Sequence, residues 1–466
     1  MHWLLRERRL SVLAILGATA VIPAAIVHFF GSRQVVVDGG VHFYGLAISS
    51  GVATAAAVAL TVAGTRRGDG RAVLVGTAFS AMLAVHGFTT PGFLTDSNGV
   101  VAFSGAATLP LGGAVLALSA LPALRRPRNV QPLLWLQACL LAAILALGAL
   151  GVLVPSLVPA VPEDGSPEAI AVLVIGVAFF LMLGLRATRT FLLTRRHADF
   201  AVVVGVVLLA AALVPALTLG PSDFGWWAGH VFELVGIVLV GTPVALDLHR
   251  AAQSRPLSGD LRGSELIDAA DAFLGPAVHA LLVRLAEKDA YTEGHTRRVA
   301  LRAVEVGEEL GLPPGRLRDL AIGGMLHDIG KLSVPNAILQ KPSALDDDEF
   351  AVIRTHPERG SELVRDLGGF SDAVARLVRD HHERLDGGGY PHGRMGDALD
   401  LETRVLTVCD VYDALLSRRV YREAWSHERA LQLLENETGT AFDPRCVEAL
   451  ERVLSARAPK REPVPA

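Results

Sequence analysis

The chain has 466 residues, of which 51% are apolar and 19% charged, and its net charge is −4. That composition excludes a disordered chain and a collagen-like repeat. Three cysteines, Cys139, Cys409 and Cys446, exclude an even disulfide framework and suit a reducing compartment.

The charge is unevenly spread. Residues 1–250 hold 15 Arg, no Lys and 11 acidic residues, which leaves 28 basic and 36 acidic residues in 251–466. The first part is too apolar for a water-soluble domain. The second has soluble composition, and its acidic balance argues against binding nucleic acid polymers.

Eight apolar runs lie near residues 10–30, 41–64, 72–94, 101–124, 131–160, 169–193, 201–220 and 226–248. Each is long enough for a bilayer-crossing helix, which takes about 20 residues. The first run is too long for a signal-peptide core and is read as retained. Arginine falls on alternate connections: Arg6, Arg8 and Arg9, then Arg66, Arg67 and Arg71, then Arg125, Arg126 and Arg128, then Arg186, Arg189, Arg195 and Arg196. The other connections carry only Arg33, with Asp38, Asp96, Glu163, Asp164, Glu168 and Asp223. By the positive-inside rule both ends of this eight-span bundle face the cytoplasm.

Four histidines lie toward the outer side of that topology. His28, His42 and His230 fall at outer ends of spans, and His86 in the outer half of the third. Glu233 follows His230 by one turn. Ionisable residues at membrane depth are costly and point to function, so these five are a candidate sensor site for a metal, a haem or protons. The competing reading is that the histidines only reach outward to headgroups.

Residues 251–263 are polar and turn-rich. Ser264 suits the N-cap of a helix with Leu266, Ile267, Ala270, Phe273 and Leu274 on one side, and Pro276 starts a second helix or kinks the first. A stalk over 251–275 can pair two chains into a homodimer or pack on its own domain.

From about residue 276 the helical period dominates, and the class is all-α. Along it run His295, His327 with Asp328, His356, His381 with His382, and Asp410. Adjacent ligands on a helix point about 100° apart and can grip a metal from two sides. Five imidazoles and two carboxylates suffice for two divalent cations, and nitrogen and oxygen donors without thiolate suit iron, manganese or zinc. Lys331 lies one turn beyond His327 and Asp328 and is placed to neutralise a phosphoryl oxygen. His279, His392 and His427 are read as ordinary surface or core residues.

The segments His327-Asp328-Ile329-Gly330-Lys331 and His381-His382-Glu383-Arg384-Leu385-Asp386-Gly387-Gly388-Gly389-Tyr390-Pro391 resemble the HD-GYP family of bacterial cyclic di-GMP phosphodiesterases. The likeness covers roughly 276–455 and includes Asp289 to His295, His356 with Gly360, Asp410 to Leu415 and Gly439 to Pro444. It implies hydrolysis of cyclic di-GMP to the linear dinucleotide or GMP. The implied metal ligands are His295, His327, Asp328, His356, His381, His382 and Asp410, with Asp328 bridging. Lys331, Tyr390, Arg419 and Arg422 match substrate-contacting positions. Tyr291 stands where some members place a third-metal glutamate, which favours two metals, and Arg418-Arg419-Val420 departs from the usual Asp-Arg-Pro. Glu383 and Asp386 are candidates for protonating the leaving oxygen.

The expected organisation is therefore an all-α chain. An eight-helix transmembrane sensor bundle (1–250) precedes a linker (251–275), a cytoplasmic HD-type phosphohydrolase domain (276–457) and a disordered tail (458–466). The bacterial inner membrane is the expected location. The alternatives are a hydrolase of another cyclic dinucleotide or phosphoester, and a non-catalytic receptor for the nucleotide.

Overall fold

The computed structural model describes residues 2–36, 39–88, 98–119, 121, 124, 127–161, 166–220, 222–249, 261–289, 292–417 and 423–457. Among these the only β-pairing is three isolated bridges, and nearly everything else is helix. The chain divides into two compact units, one ending at Asp260 and the other beginning at Leu261.

The N-terminal unit contains α1 (His2–Phe30), α2 (Gly39–Arg67), α3 (Gly70–His86), α4 (Asn98–Leu118), α5 (Val130–Leu153), α6 (Pro167–Thr194), α7 (His197–Thr218) and α8 (Phe224–His249). These helices fall on the eight apolar runs, with altered ends. α3 stops at His86, while Arg186 and Arg189 lie inside α6 instead of in a connection. The core gathers on α3, where Leu74, Ala78, Phe79 and Met82 are all but inaccessible. By contrast, α5 and α6 bare Leu145, Leu147, Leu181 and Leu185, a surface that suits hydrocarbon and not water. A polar link ties three helices: Gln137 on α5 donates to Ser80 on α3 (3.0 Å) and to Thr61 on α2 (3.2 Å).

Among the described residues, length and apolarity single out five candidate membrane spans, not eight: Val130–Leu153, Pro167–Thr194, His197–Thr218, Phe224–Leu246 and Ser264–Lys288. The last belongs to the other unit. It carries Glu265, Asp268, Asp271, Arg284, Glu287 and Lys288, so it reads as an amphipathic core helix.

The C-terminal unit contains α9 (Ser264–Lys288), α10 (Thr292–Glu309), α11 (Pro314–Leu326), α12 (Asn336–Leu339), α13 (Asp347–Ile353), α14 (His356–Leu367), α15 (Asp372–Asp380), α16 (Leu401–Leu416), α17 (His427–Asn436) and α18 (Pro444–Arg457). In α9, Gly275 (φ 76°) breaks the helical dihedrals immediately before Pro276, the interruption that proline predicts. The apolar face offered above to a second chain is consumed here: Leu266, Ile267, Ala270 and Leu274 are buried in this unit's own core. Each such side chain removed from water contributes about 1.5–3 kcal/mol. Residues 251–260 and the tail 458–466 lie outside the described residues.

Helix starts are set by short polar caps. Ser371 accepts from the Val374 amide (3.3 Å) to start α15, and Asp346 with Glu349 forms a capping box on α13. The decisive contact is between backbones. A Cβ on Gly330 would lie 1.9 Å from the His356 carbonyl oxygen and 2.5 Å from the Gly360 amide. Glycine there lets the segment after α11 cross the start of α14 at backbone contact.

Gly330→Ala should therefore destabilise the C-terminal unit by about 3 kcal/mol or more, the upper range of overpacking penalties. Gly315→Ala, with open space around its Cβ, should be neutral to mildly stabilising. Urea unfolding of the full chain in detergent measures both.

Candidate metal centre

Five helix segments deliver the seven side chains, mostly from their ends. His295 lies in the first turn of α10, and His327 with Asp328 directly follows α11. His356 opens α14, His381 and His382 directly follow α15, and Asp410 comes from the middle of α16. Residues at a helix end have unsatisfied carbonyls nearby. The His327, His356 and His381 rings each bond one through Nδ1: the carbonyls of Gly324 (2.8 Å), Ile353 (2.8 Å) and Val378 (2.7 Å). With Nδ1–H donating, Nε2 of each ring presents a lone pair.

Those nitrogens converge. His295 Nε2 is 3.0 Å from Asp410 Oδ1, His356 Nε2 is 3.4 Å from Asp328 Oδ1, and the His356 and His381 Nε2 atoms are 3.3 Å apart. His382 Nδ1 is 3.8 Å from Asp410 Oδ2, and His327 Nε2 is 3.5 Å from Asp328 Oδ2. Three overlapping triads have metal-ligand spacing: His295–His327–Asp410, His327–Asp328–His381 and His356–His381–His382. His327 Nε2 is buried and makes no hydrogen bond. An orphaned buried nitrogen costs about 1–3 kcal/mol unless something fills its lone pair. A divalent cation does so, and the donor set fits one.

The electrostatics agree. Burial pulls His327, His381 and His382 below the ordinary imidazole range, so these rings are neutral and ready to ligate. Burial pushes Asp328 upward, but Lys331 and His327 outweigh it and hold the carboxylate well below its usual range. His295 is the exception. Burial lowers it, yet the hydrogen bonds it donates to Asp410 and Asp413 outweigh that and raise it to about 9. A proton and a metal compete for its Nε2.

Asp413 is the functional residue that the pattern of ligands left out. It accepts from His295 Nδ1 (2.9 Å), and is itself held by Arg298 (2.9 and 3.1 Å) and Arg302 (2.8 Å). The signal was available: Asp410 and Asp413 are i and i+3 on one helix, so they share a face.

The surrounding positions separate clearly. Lys331 Nζ pairs with Asp328 Oδ2 (2.8 Å) and faces Asp289 (3.6 Å). The Tyr390 ring lies 4.7 Å from the His382 ring, tilted by 36°, and the Arg354 guanidinium is 5.0 Å from its centroid. Gly389 permits that placement, since a Cβ there would meet the His382 carbonyl oxygen at 2.5 Å. Glu383 is buried, and its two oxygens accept from the amides of His392 (2.7 Å) and Arg394 (3.0 Å). The Asp386 carboxyl is held below its usual range by its bonds to Arg384 and the Gly388 amide. His279, His392 and His427 pair with Asp271, Glu358 and Tyr412, away from the cluster. Tyr291, Arg419 and Arg422 lie outside the described residues.

In the N-terminal unit, His86, His230 and Glu233 meet in one group with ligand spacing. His28 does not join them; it is exposed and packs edge-on against Phe29. The side chain of His42 lies outside the described residues.

Residues 281–446 match the family described as HD domain. Over 176 residues the chain is 43% identical to the cyclic di-GMP phosphodiesterase response regulator RpfG of Xanthomonas campestris pv. campestris, covering 37% of this chain and 47% of that protein. It is 37% identical over 193 residues to cyclic di-GMP phosphodiesterase PA4108 of Pseudomonas aeruginosa, covering 41% and 46%. It is 39% identical over 185 residues to 3′3′-cGAMP-specific phosphodiesterase 3 of Vibrio cholerae, covering 40% of each. The chain thus spans less than half the length of these curated relatives.

Two measurements follow from the site. Because His295 titrates near 9, metal affinity should rise as pH rises toward 9, by up to tenfold per unit for the one proton displaced. Competition with a metallochromic chelator across pH reads this slope. Asp413→Asn should lower metal affinity by about 10–100-fold, the usual cost of removing a ligand's supporting carboxylate. It should also flatten that slope, which a merely destabilising change would leave intact.

Proposed function

We propose, from the HD domain at residues 281–446 and its resemblance to the HD-GYP phosphodiesterases, that this chain is a membrane-tethered, metal-dependent phosphodiesterase acting on cyclic di-GMP. The observation that carries the reading is that the seven nitrogen and oxygen donors form three overlapping groups with ligand spacing, two of them sharing the orphaned His327 Nε2. His295, His327, Asp328, His356, His381, His382 and Asp410 would hold two divalent cations, iron or manganese first and zinc next. Asp328 is the natural bridge, since its two oxygens face different histidines, His327 and His356.

The bound cations supply Lewis acidity and a water acidic enough to attack phosphorus at neutral pH. The rest falls to the chain. The Lys331 ammonium stands beside Asp328, where it can take up charge developing on a phosphoryl oxygen. The Tyr390 ring, beside the His382 ring, stands next to the ligand cluster and is a candidate nucleotide contact. Arg419 and Arg422 are further candidates for nucleotide contact.

The relatives' names include both cyclic di-GMP and 3′3′-cGAMP enzymes, so another cyclic dinucleotide is the second reading. The N-terminal unit is proposed to cross the bacterial inner membrane eight times, its arginine-bearing ends and the HD domain cytoplasmic, which the alternation of Arg66, Arg67, Arg195 and Arg196 with acidic connections supports.

The full chain in nanodiscs with Mn2+ or Fe2+ should convert cyclic di-GMP to the linear dinucleotide or GMP. Asp328→Ala should cut turnover about 10³-fold or more, and Lys331→Ala about 10²-fold, as for loss of one charge-stabilising donor. Preferential consumption of 3′3′-cGAMP in direct competition would select the second reading. Tight nucleotide binding by fully metal-loaded protein without any product would leave only a receptor.

A further inference from the structure

The three ionisable side chains of the N-terminal unit sit around a cavity that the phosphodiesterase reading does not use. His86 ends α3, and His230 and Glu233 lie at i and i+3 on α8, so the two α8 side chains share a face. One ligand atom from each lies within 4.8 Å of the other two. We propose that His86, His230 and Glu233 form a divalent transition-metal site of two imidazoles and one carboxylate.

Several features of the site point that way. His230 Nδ1 lies 2.9 Å from the Trp226 carbonyl oxygen, one turn back on α8. Donation to that carbonyl fixes the tautomer and leaves Nε2 as the ligating nitrogen, the outer-shell arrangement of metal-binding histidines. Trp226 is buried and packs against the His230 ring at 4.0 Å between centroids, which limits the ring's rotation. The His86 and His230 rings are 5.2 Å apart and tilted by 48°, so they approach a common point and do not stack.

The cavity between them has a volume of about 20 Å³. A single water needs roughly 10–15 Å³, so the space suits one cation or one solvent molecule. The walls beyond the three ligands and Ser50 are apolar: Ala53, Met82, Leu83, Leu234 and Ile237. A carboxylate among such walls is expensive unless a positive charge faces it. A dication held by Glu233 and the two imidazole rings supplies it. Nitrogen and carboxylate donors without thiolate favour zinc or a similar first-row ion, and three protein ligands leave a coordination position open.

This site is independent of the phosphodiesterase reading, and its test is arranged accordingly. The full chain in nanodiscs carries His327→Ala, Asp328→Ala and His381→Ala, which removes metal from the HD centre. After loading with Zn2+ and desalting, elemental analysis should find one zinc per chain. Adding His86→Ala or Glu233→Gln should reduce zinc retention at least tenfold, and His279→Ala should not change it. Zinc absorption spectroscopy on the chain with its His86, His230 and Glu233 intact keeps the question open to decision if either variant misfolds. Two imidazole nitrogens and carboxylate oxygen at about 2.0–2.2 Å are expected. No retained zinc in the His86-intact protein, retention unchanged by both substitutions, or a shell without imidazole would each overturn the proposal.

Discussion

Putting four buried imidazoles within ligand distance of one another is costly unless every ring is told which nitrogen to turn inward. Here the instruction comes from backbone. Three Nδ1 atoms are taken by carbonyls three residues earlier in the chain, at helix ends where such carbonyls lack partners anyway. The fourth, on His295, is taken by Asp413. The orientation of the donors thus costs the fold little, because it uses groups that α11, α15 and the end of α13 leave unsatisfied. Burial then keeps His327, His381 and His382 neutral, which is the protonation state a cation requires.

His295 differs because carboxylates sit at both of its nitrogens. Asp410 faces the cluster, while Asp413 faces away and is clamped by Arg298 and Arg302. The two aspartates, one turn apart on α16, divide the work of ligating and bracing. The division follows from helix geometry: both project to one side, at different depths. A chain of ionic contacts therefore runs from the surface arginine at 298 into the interior of the site.

Much of this was legible in the sequence. The all-helical class, the eight N-terminal helices and the seven convergent donors follow from apolar periodicity and from paired His/Asp letters. The break at Pro276 was legible because proline cannot continue the helix on its own terms. What escaped was set by tertiary contact. Leu266, Ile267, Ala270 and Leu274 looked equally fit for a partner chain or for their own domain, since an amphipathic stripe does not name what covers it. The amides of His392 and Arg394 that Glu383 bonds lie nine and eleven residues on, in a loop whose path no spacing rule gives. His28 was grouped with His86 and His230 by depth along its helix alone, and depth says nothing about which helices are neighbours. α9 overlaps the other candidate spans in length and apolarity, and its six charged residues together with its burial in the C-terminal core set it apart.

The backbone crossing at Gly330 and Gly360 has a consequence for how such a domain can vary. It pins both ends of the excursion that follows, and the Ile353 carbonyl at the end of α13 holds the His356 ring, so that the positions of Asp328 and His356 do not depend on what the chain does between residues 334 and 346. That stretch can lengthen, shorten or acquire a new surface without shifting the ligands at its base, as a hinged handle moves without disturbing the lid's rim. Diversity among related domains should accumulate in that arch, and inserted modules should be tolerated there sooner than in any other connection around the cluster.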